Sequence, residues 1–247
     1  VRLYGKADFI EAQCQKHQIN NAFIQDAPDS DSAARMAVAD IRSNRGDLLM
    51  KGDISTAGLL KPVLDRQHGL RKGDILSHIA VMEHKALPRL LFITDGGINI
   101  SINLEQRRAI THNAIDFAQK VLLRKPVIGM TALIEQVNEK IPETGESKII
   151  AEELTANGFL ADGPIAPDVL FSPVAAHKKG VSDHISGKAD IFVAPNISVA
   201  NFMIKILIEL DNAEVGGIIL GAKVPIILLS RSDVAKTKLN SIILGLL

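Results

Sequence analysis

Short, uninterrupted apolar runs recur along the chain, each closed by a turn and followed by a stretch of helical period. Runs at residues 22–24, 48–50, 90–94, 127–130, 191–194, 217–220 and 224–229 read as short buried strands. Many are rich in Ile, Val and Leu without polar alternation, as strands covered on both faces should be. Between them lie amphipathic stretches. Residues 32–43 follow an Asp–Ser cluster suited to N-capping. Residues 104–123 place Leu104, Ile110, Ala114, Phe117, Ala118 and Val121 near one face, and residues 199–211 gather Phe202, Ile206, Leu207 and Leu210. Strands alternating with helices predict an α/β protein with a mainly parallel sheet. The Pro/Gly-rich stretch 141–145 and the run 158–167 read as loops.

A chain of 247 residues fits one large domain or two ordinary α/β domains. Lys plus Arg and Asp plus Glu both count 28, and there is no Trp and one Tyr, so the basic footprint and stacking rings of a nucleic-acid surface are missing. The longest apolar candidate, residues 215–229, is broken by Lys223 and Pro225 and falls short of the ~20 residues of a membrane span. With Cys14 as its single cysteine the chain has no internal disulfide framework, and a cytoplasmic location is expected. Cys14 lies in a polar helical stretch with no basic or oxyanion setting, which argues against an acyl-cysteine route.

Candidate chemistry gathers where apolar runs end, the place where open α/β sheets bind ligands. The run ending at Lys51 leads through Gly52 to Ser55 and Thr56 at a helix start, with Lys61 further along. Exposed N–H groups, a helix dipole and lysines favour an anion there, and the same pattern reads equally as a Ser/Thr N-cap among solvated lysines. His78 sits in an apolar run and reads either as a hydrogen-bonded core residue or as a proton-transfer group. Asp95 closes a run and precedes Gly96 and Gly97; it either positions a ligand or acts as a base, or caps the next segment. Asn196 reads as a turn or cap, and Asn201 as a helix residue able to hydrogen-bond across a cleft, with Lys205 one turn on. Ser230 and Arg231 stand at a strand-to-helix junction, where a guanidinium suits phosphate and a hydroxyl suits a carbonyl oxygen or a thiol. No nucleophile elbow, nucleotide phosphate loop or Cys/His cluster of zinc spacing is present.

The motifs ADIFVAPN, N-x-x-x-K, GIILGAKVPI, SRSD and KLNSI, in that order over residues 189–247, resemble the carboxy-terminal part of the phosphate acetyl/butyryl transferase family, the phosphotransacylases. LLMKGDISTAGLLKPVL and D-G-P at Asp162–Gly163–Pro164 extend the resemblance over nearly the whole chain, and ILSHIAVME and TDGGINI resemble its butyryl branch. The resemblance implies two α/β lobes around a cleft, similar to the isocitrate/isopropylmalate dehydrogenase-like fold. Residues 1–95 with 215–247 would form the first lobe and 96–214 the second. The chain begins at Val1 rather than Met, and the amino-terminal part of the first lobe is expected to be incomplete.

The activity implied is exchange of phosphate and CoA on a short acyl group, butyryl or branched, by direct attack without a covalent enzyme intermediate. Acyl-CoA, phosphate and acyl phosphate are the expected partners, with CoA as substrate, no cofactor or metal, and a homodimer. Ser230, Arg231 and Asp233, the last as base, are the expected catalytic residues. Lys51, Ser55, Thr56, Lys61, Asp95, Asn201 and Lys223 are expected to bind phosphate or CoA. The family usually has Arg at Lys61, an acidic residue and Gly within Ser198–Val199–Ala200, and small residues at Gly96–Gly97. Its acetyl branch has an Asp where Thr237 stands. These departures motivate an alternative, a non-catalytic binder of CoA or acyl phosphate. A metal-dependent dehydrogenase of similar fold is disfavoured by the lack of any D-x-x-x-D.

Overall fold

The computed structural model describes residues 1–182, 184–228 and 233–247. In chain order the elements are β1 (Arg2–Gly5), α1 (Ala7–Lys16), β2 (Phe23–Asp26), α2 (Ser30–Arg42), β3 (Leu49–Met50) and α3 (Thr56–Val63). There follow β4 (Ser77–Glu83), β5 (Leu91–Thr94), α4 (Leu104–Leu122), β6 (Val127–Thr131), α5 (Pro142–Ala156) and β7 (Leu160–Ile165). The chain continues through α6 (Pro167–Phe171), α7 (Pro173–Lys179), β8 (Ile191–Val193), α8 (Ile197–Asp211), β9 (Glu214–Leu220), β10 (Ile226–Ile227) and α9 (Ala235–Gly245).

Eight strands form one sheet in the order β3-β10-β9-β4-β5-β8-β6-β7. The half from β5 to β7 is parallel, as the alternation of strands and helices predicts. β4 runs antiparallel to both β5 and β9, and β9 runs antiparallel to β10. This reversal brings the amino end of β4 beside the carboxy ends of β5 and β9: Ile79 pairs with Thr94, and Ser77 with Leu220.

The middle strands bury both faces, which is why they read as unbroken apolar runs. Along β4 and β5, Ile79, Val81 and Phe92 point into a core shared with Ala114, Ile115 and Ala118 of α4 and Ile150 of α5. Ala80, Met82, Leu91 and Ile93 point the other way, onto Val169, Leu170, Ala176 and Ala200 of α6, α7 and α8. Each large side chain so enclosed contributes about 1.5–3 kcal/mol, and a one-residue slip of β5 would exchange its two faces. Helix ends are set by side chains. Asn103 and Gln106 form a capping box at the start of α4, and Asn196 caps α8 by accepting from the N–H of Val199.

Three sequence expectations need correction. Residues 141–145 are not a loop, because α5 starts at Pro142. Proline breaks a helix interior but suits a first turn, where its missing N–H would have no partner. Residues 158–167 contain β7, an edge strand paired only with β6. An edge position tolerates Pro164, and a Cβ at Gly163 would stand 2.5 Å from that of Met130, so the glycine allows the strands to close together. The strand expected at 22–24 exists as β2 but is not buried: it pairs only with β1, and Phe23 is exposed.

Candidate active site

The carboxy end of β5 runs into the turn Asp95–Gly96–Gly97–Ile98–Asn99, and Asp95 is its hub. One carboxylate oxygen accepts from the backbone N–H of Gly97 at 2.9 Å, Ile98 at 3.1 Å and His78 at 3.1 Å. The other accepts from the backbone N–H of Asn99 at 3.1 Å and from its side-chain amide at 2.5 Å. Asp95 is only 5% exposed, and these donors replace the water that a buried carboxylate loses. The Asn99 amide also donates to the carbonyl of Leu76, and the Thr94 hydroxyl donates to the carbonyl of His78. The turn is thereby fastened to the start of β4.

Two helices complete the frame. Asn201 of α8 donates to the carbonyl of Gly96 at 2.9 Å. Asn113 of α4 donates to the carbonyl of Ile75 and the hydroxyl of Ser77. His78 lies between the turn and β9. A Cβ added at Gly97 would stand 3.2 Å from its Cγ, one at Gly96 3.5 Å from its Nδ1, and one at Gly217 2.8 Å from its Nε2. Gly97 and Gly217 therefore clear the space that the imidazole fills, while a Cβ at Gly96 would only touch it. Its Nδ1 is buried with no hydrogen-bond partner among the described residues. Burial lowers the imidazole pKa, and the charges of Asp95 and Asp233 oppose that shift.

Asp95 thus holds the backbone of His78, Asn201 holds the adjoining turn at Gly96, and the charges of Asp95 and Asp233 act on the imidazole, a residue which the sequence marks only as one of two readings. The expected anion-binding residues are engaged locally. Lys51 donates to the carbonyls of Ile54 at 2.9 Å and Gly52 at 3.3 Å. Ser55 caps α3 by accepting from the N–H of Gly58, and Thr56 is exposed as the first residue of that helix. Lys61 is exposed in its last turn. Lys223 donates to the carbonyl of Arg42 at the end of α2. Among the described residues, no hydrogen bond or ion pair joins these groups to the Asp95 turn. Thr237 lies in α9, and its carbonyl accepts from the Ser241 hydroxyl, which itself accepts from the N–H of Gly217. Ser230 and Arg231 lie outside the described residues.

Two further residues carry weight that the sequence did not signal. Asn99 is one; its role rests on backbone partners. Arg107 is the other, fully buried in α4 and donating to the carbonyls of Thr131 at 3.1 Å and Glu143 at 3.1 Å, which joins α4 to the end of β6 and the start of α5. Among the described residues no helix is long and apolar enough to cross a membrane.

The chain has a mixed α/β fold, and its candidate site is the cluster of polar groups at the reversal between β4 and β5. The model of the family described as phosphate acetyl/butaryl transferase matches residues 6–246. The phosphate butyryltransferase of Clostridium acetobutylicum is 36% identical over 232 residues, which are 93% of this chain and 77% of that protein. The phosphate acetyltransferase of Thermotoga maritima is 39% identical over 228 residues, 91% of this chain and 77% of the other. The crystal structure of a branched-chain phosphotransacylase from Enterococcus faecalis V583 superposes with a TM-score of 0.83 at 29% identity, covering 99% of this chain and 97% of that one. The chain belongs to the phosphate acetyl/butaryl transferase family and is an acyltransferase of the phosphotransacylase type.

Proposed function

We propose that this phosphotransacylase acts on a butyryl or branched short-chain group, with acyl-CoA and phosphate giving acyl phosphate and CoA. The carrying observation is that Asp95 and Asn201 fasten the turn after β5 beside the start of β4, where the charges of Asp95 and Asp233 act on His78. The butyryl-like runs ILSHIAVME and TDGGINI form this same corner of the proposed site.

Phosphate attacks the thioester carbonyl directly, a tetrahedral adduct forms, and the C–S bond breaks as the CoA thiolate leaves. Thiolate is a good enough leaving group that no acyl-enzyme is needed. Arg231 binds phosphate with two parallel hydrogen bonds, and Ser230 donates to the developing oxyanion, a contact worth about 2.7–4 kcal/mol per good donor. Lys51, Lys61 and Lys223, with Ser55 and Thr56 at the start of α3, hold the substrates' phosphate groups. This role requires Lys51 and Lys223 to exchange their present carbonyl contacts for the ligand. Asp233 supplies a carboxylate charge that assists removal of the thiol proton.

Residues 1–95 with 215–247, and residues 96–214, act as two lobes that bring the substrates together. α8 exposes Val199, Phe202, Ile206 and Leu210 along one side, the face through which we propose a homodimer. The test mixes the protein with phosphate and acetyl-, butyryl- or isobutyryl-CoA and follows free thiol. Phosphate-dependent release that is fastest with a four-carbon chain supports the reading. Faster turnover of acetyl-CoA refutes the chain-length assignment, and no release with any acyl-CoA refutes the exchange itself.

A further inference from the structure

His78 stands apart from an ordinary core histidine. Buried polar atoms in folded proteins nearly always find a partner, and one left without is a candidate for a functional role. Here Nδ1 has none among the described residues, although the neighbouring hydroxyls are engaged: that of Ser77 accepts from the Asn113 amide and that of Thr94 donates to the carbonyl of His78. The ring lies beside Gly96 and Gly97 of the turn after β5 and Gly217 in the middle of β9, and side chains at Gly97 or Gly217 would crowd it. Its backbone N–H is fixed on Asp95 at 3.1 Å, so the residue cannot drift along β4. The side chain keeps partial exposure and is not sealed in the core.

We propose that His78 is a catalytic proton carrier of this site, moving the thiol proton of CoA to the departing phosphate. This assignment rests on the phosphotransacylase reading above. In the direction of thioester synthesis the S–H bond breaks as sulfur adds to the carbonyl of the acyl phosphate, and the proton passes to the neutral imidazole. The adduct collapses, the carbonyl carbon–oxygen bond to phosphate breaks, and the leaving phosphate takes the bonding electrons together with the proton from His78. Acyl phosphate and thiol thus become thioester and hydrogen phosphate, and His78 ends as it began. In phosphorolysis the same proton returns to the thiolate.

The electrical setting fits a group that must accept and release a proton within one turnover. Burial keeps the imidazole neutral near pH 7, ready to accept. Asp95 from the end of β5 and Asp233 ahead of α9 are the charged groups acting on it among the described residues, and both steady the transient imidazolium. Gly217 of β9 brings no charge.

The test compares wild type with His78→Gln in thioester synthesis from butyryl phosphate and CoA, across pH 5 to 9. A fall in kcat of roughly 10²-fold or more, with KM for CoA little changed and the acidic limb of the wild-type pH profile removed, supports the assignment. Activity within threefold, or a lower rate with the acidic limb intact, overturns it, because a packing defect lowers rate without altering titration. If the variant does not fold, nitrogen-15 imidazole NMR of the wild type decides. Titration below the ordinary histidine range, displaced when CoA binds, supports the role; ordinary titration unaffected by CoA overturns it. An inactive wild type defeats the phosphotransacylase reading and this assignment with it. An active wild type with an unaltered variant defeats the assignment alone.

Discussion

The side-chain amide of Asn201 donates to the carbonyl oxygen of Gly96 at 2.9 Å and joins α8 to the turn after β5 across 105 residues of sequence. The bond fixes the Gly96 carbonyl against α8. Replacing Asn201 by Ala leaves that carbonyl without its partner, a loss of about 1–3 kcal/mol when buried. The expected outcome is a lower unfolding midpoint in urea and a lower kcat, with Asn201→Asp worse than Ala, since a carboxylate would face the carbonyl oxygen. Equal stability of the three proteins would show that the bond does not hold the turn.

Gly217→Ala tests the space around His78 from the opposite strand. The added methyl would lie 2.8 Å from Nε2, closer than packed atoms approach, so the ring must turn. Overpacking of this kind destabilises by about 1–3 kcal/mol. Activity should fall more than stability predicts, measured as kcat against the unfolding free energy. Gly52→Ala is the control, because a Cβ there meets nothing within 4 Å.

How much of this corner was legible in sequence follows from its parts. Strands β5, β6 and β8 were readable because they bury both faces and so show continuous apolar runs. β7 was not, since Gly163–Pro164 has the chemistry of a turn and only its edge position makes it a strand. α5 was hidden by Pro142, which reads as a breaker until its place at the first turn is known. Asp95 was visible as an acid closing an apolar run, and Asn201 as a helix residue able to hydrogen-bond across a cleft. Their partners were not, because backbone donors such as the N–H of His78 have no signature in side chains. The cradle of His78 was invisible for the same reason: Gly217 becomes its neighbour only through the pairing of β4 with β9.

The amino-terminal region has its own pH dependence. Asp40 of α2 accepts from Arg2 at 2.5 Å and from the Tyr4 phenol at 2.6 Å, and also pairs with Arg45, tying β1 to α2. Hydrogen bonds, that from Arg45 foremost, hold the Asp40 carboxyl at about 2. Burial, then the bond to Asp40, pushes the Tyr4 phenol up to about 12. A depressed carboxyl stabilises the fold above its unfolded value near ~4, and that contribution is lost as pH falls toward 2. A raised phenol stabilises the fold below its unfolded value near ~10, and that contribution is lost as pH rises toward 12. Urea midpoints measured at both extremes should drop in wild type. Asp40→Asn should flatten the acidic drop, and Tyr4→Phe the alkaline one.

The exposed side of α8 offers a test of assembly. Phe202 is 65% exposed and Leu210 79%, with Ile206 between them on the same helix. Ile206→Glu should convert a dimer to a monomer in light scattering while the helix content by circular dichroism stays the same. A wild type that is monomeric at tens of micromolar protein would remove the proposed interface.

The most direct measurement is a crystal structure with CoA and phosphate bound together. The account predicts the CoA sulfur within hydrogen-bond reach of the His78 imidazole and Asp233, with phosphate beside Ser230 and Arg231 near the Asp95 turn. Both ligands lodged instead among Glu135, Lys148 and Asp162, in the 560 Å³ hollow over β7, would contradict it.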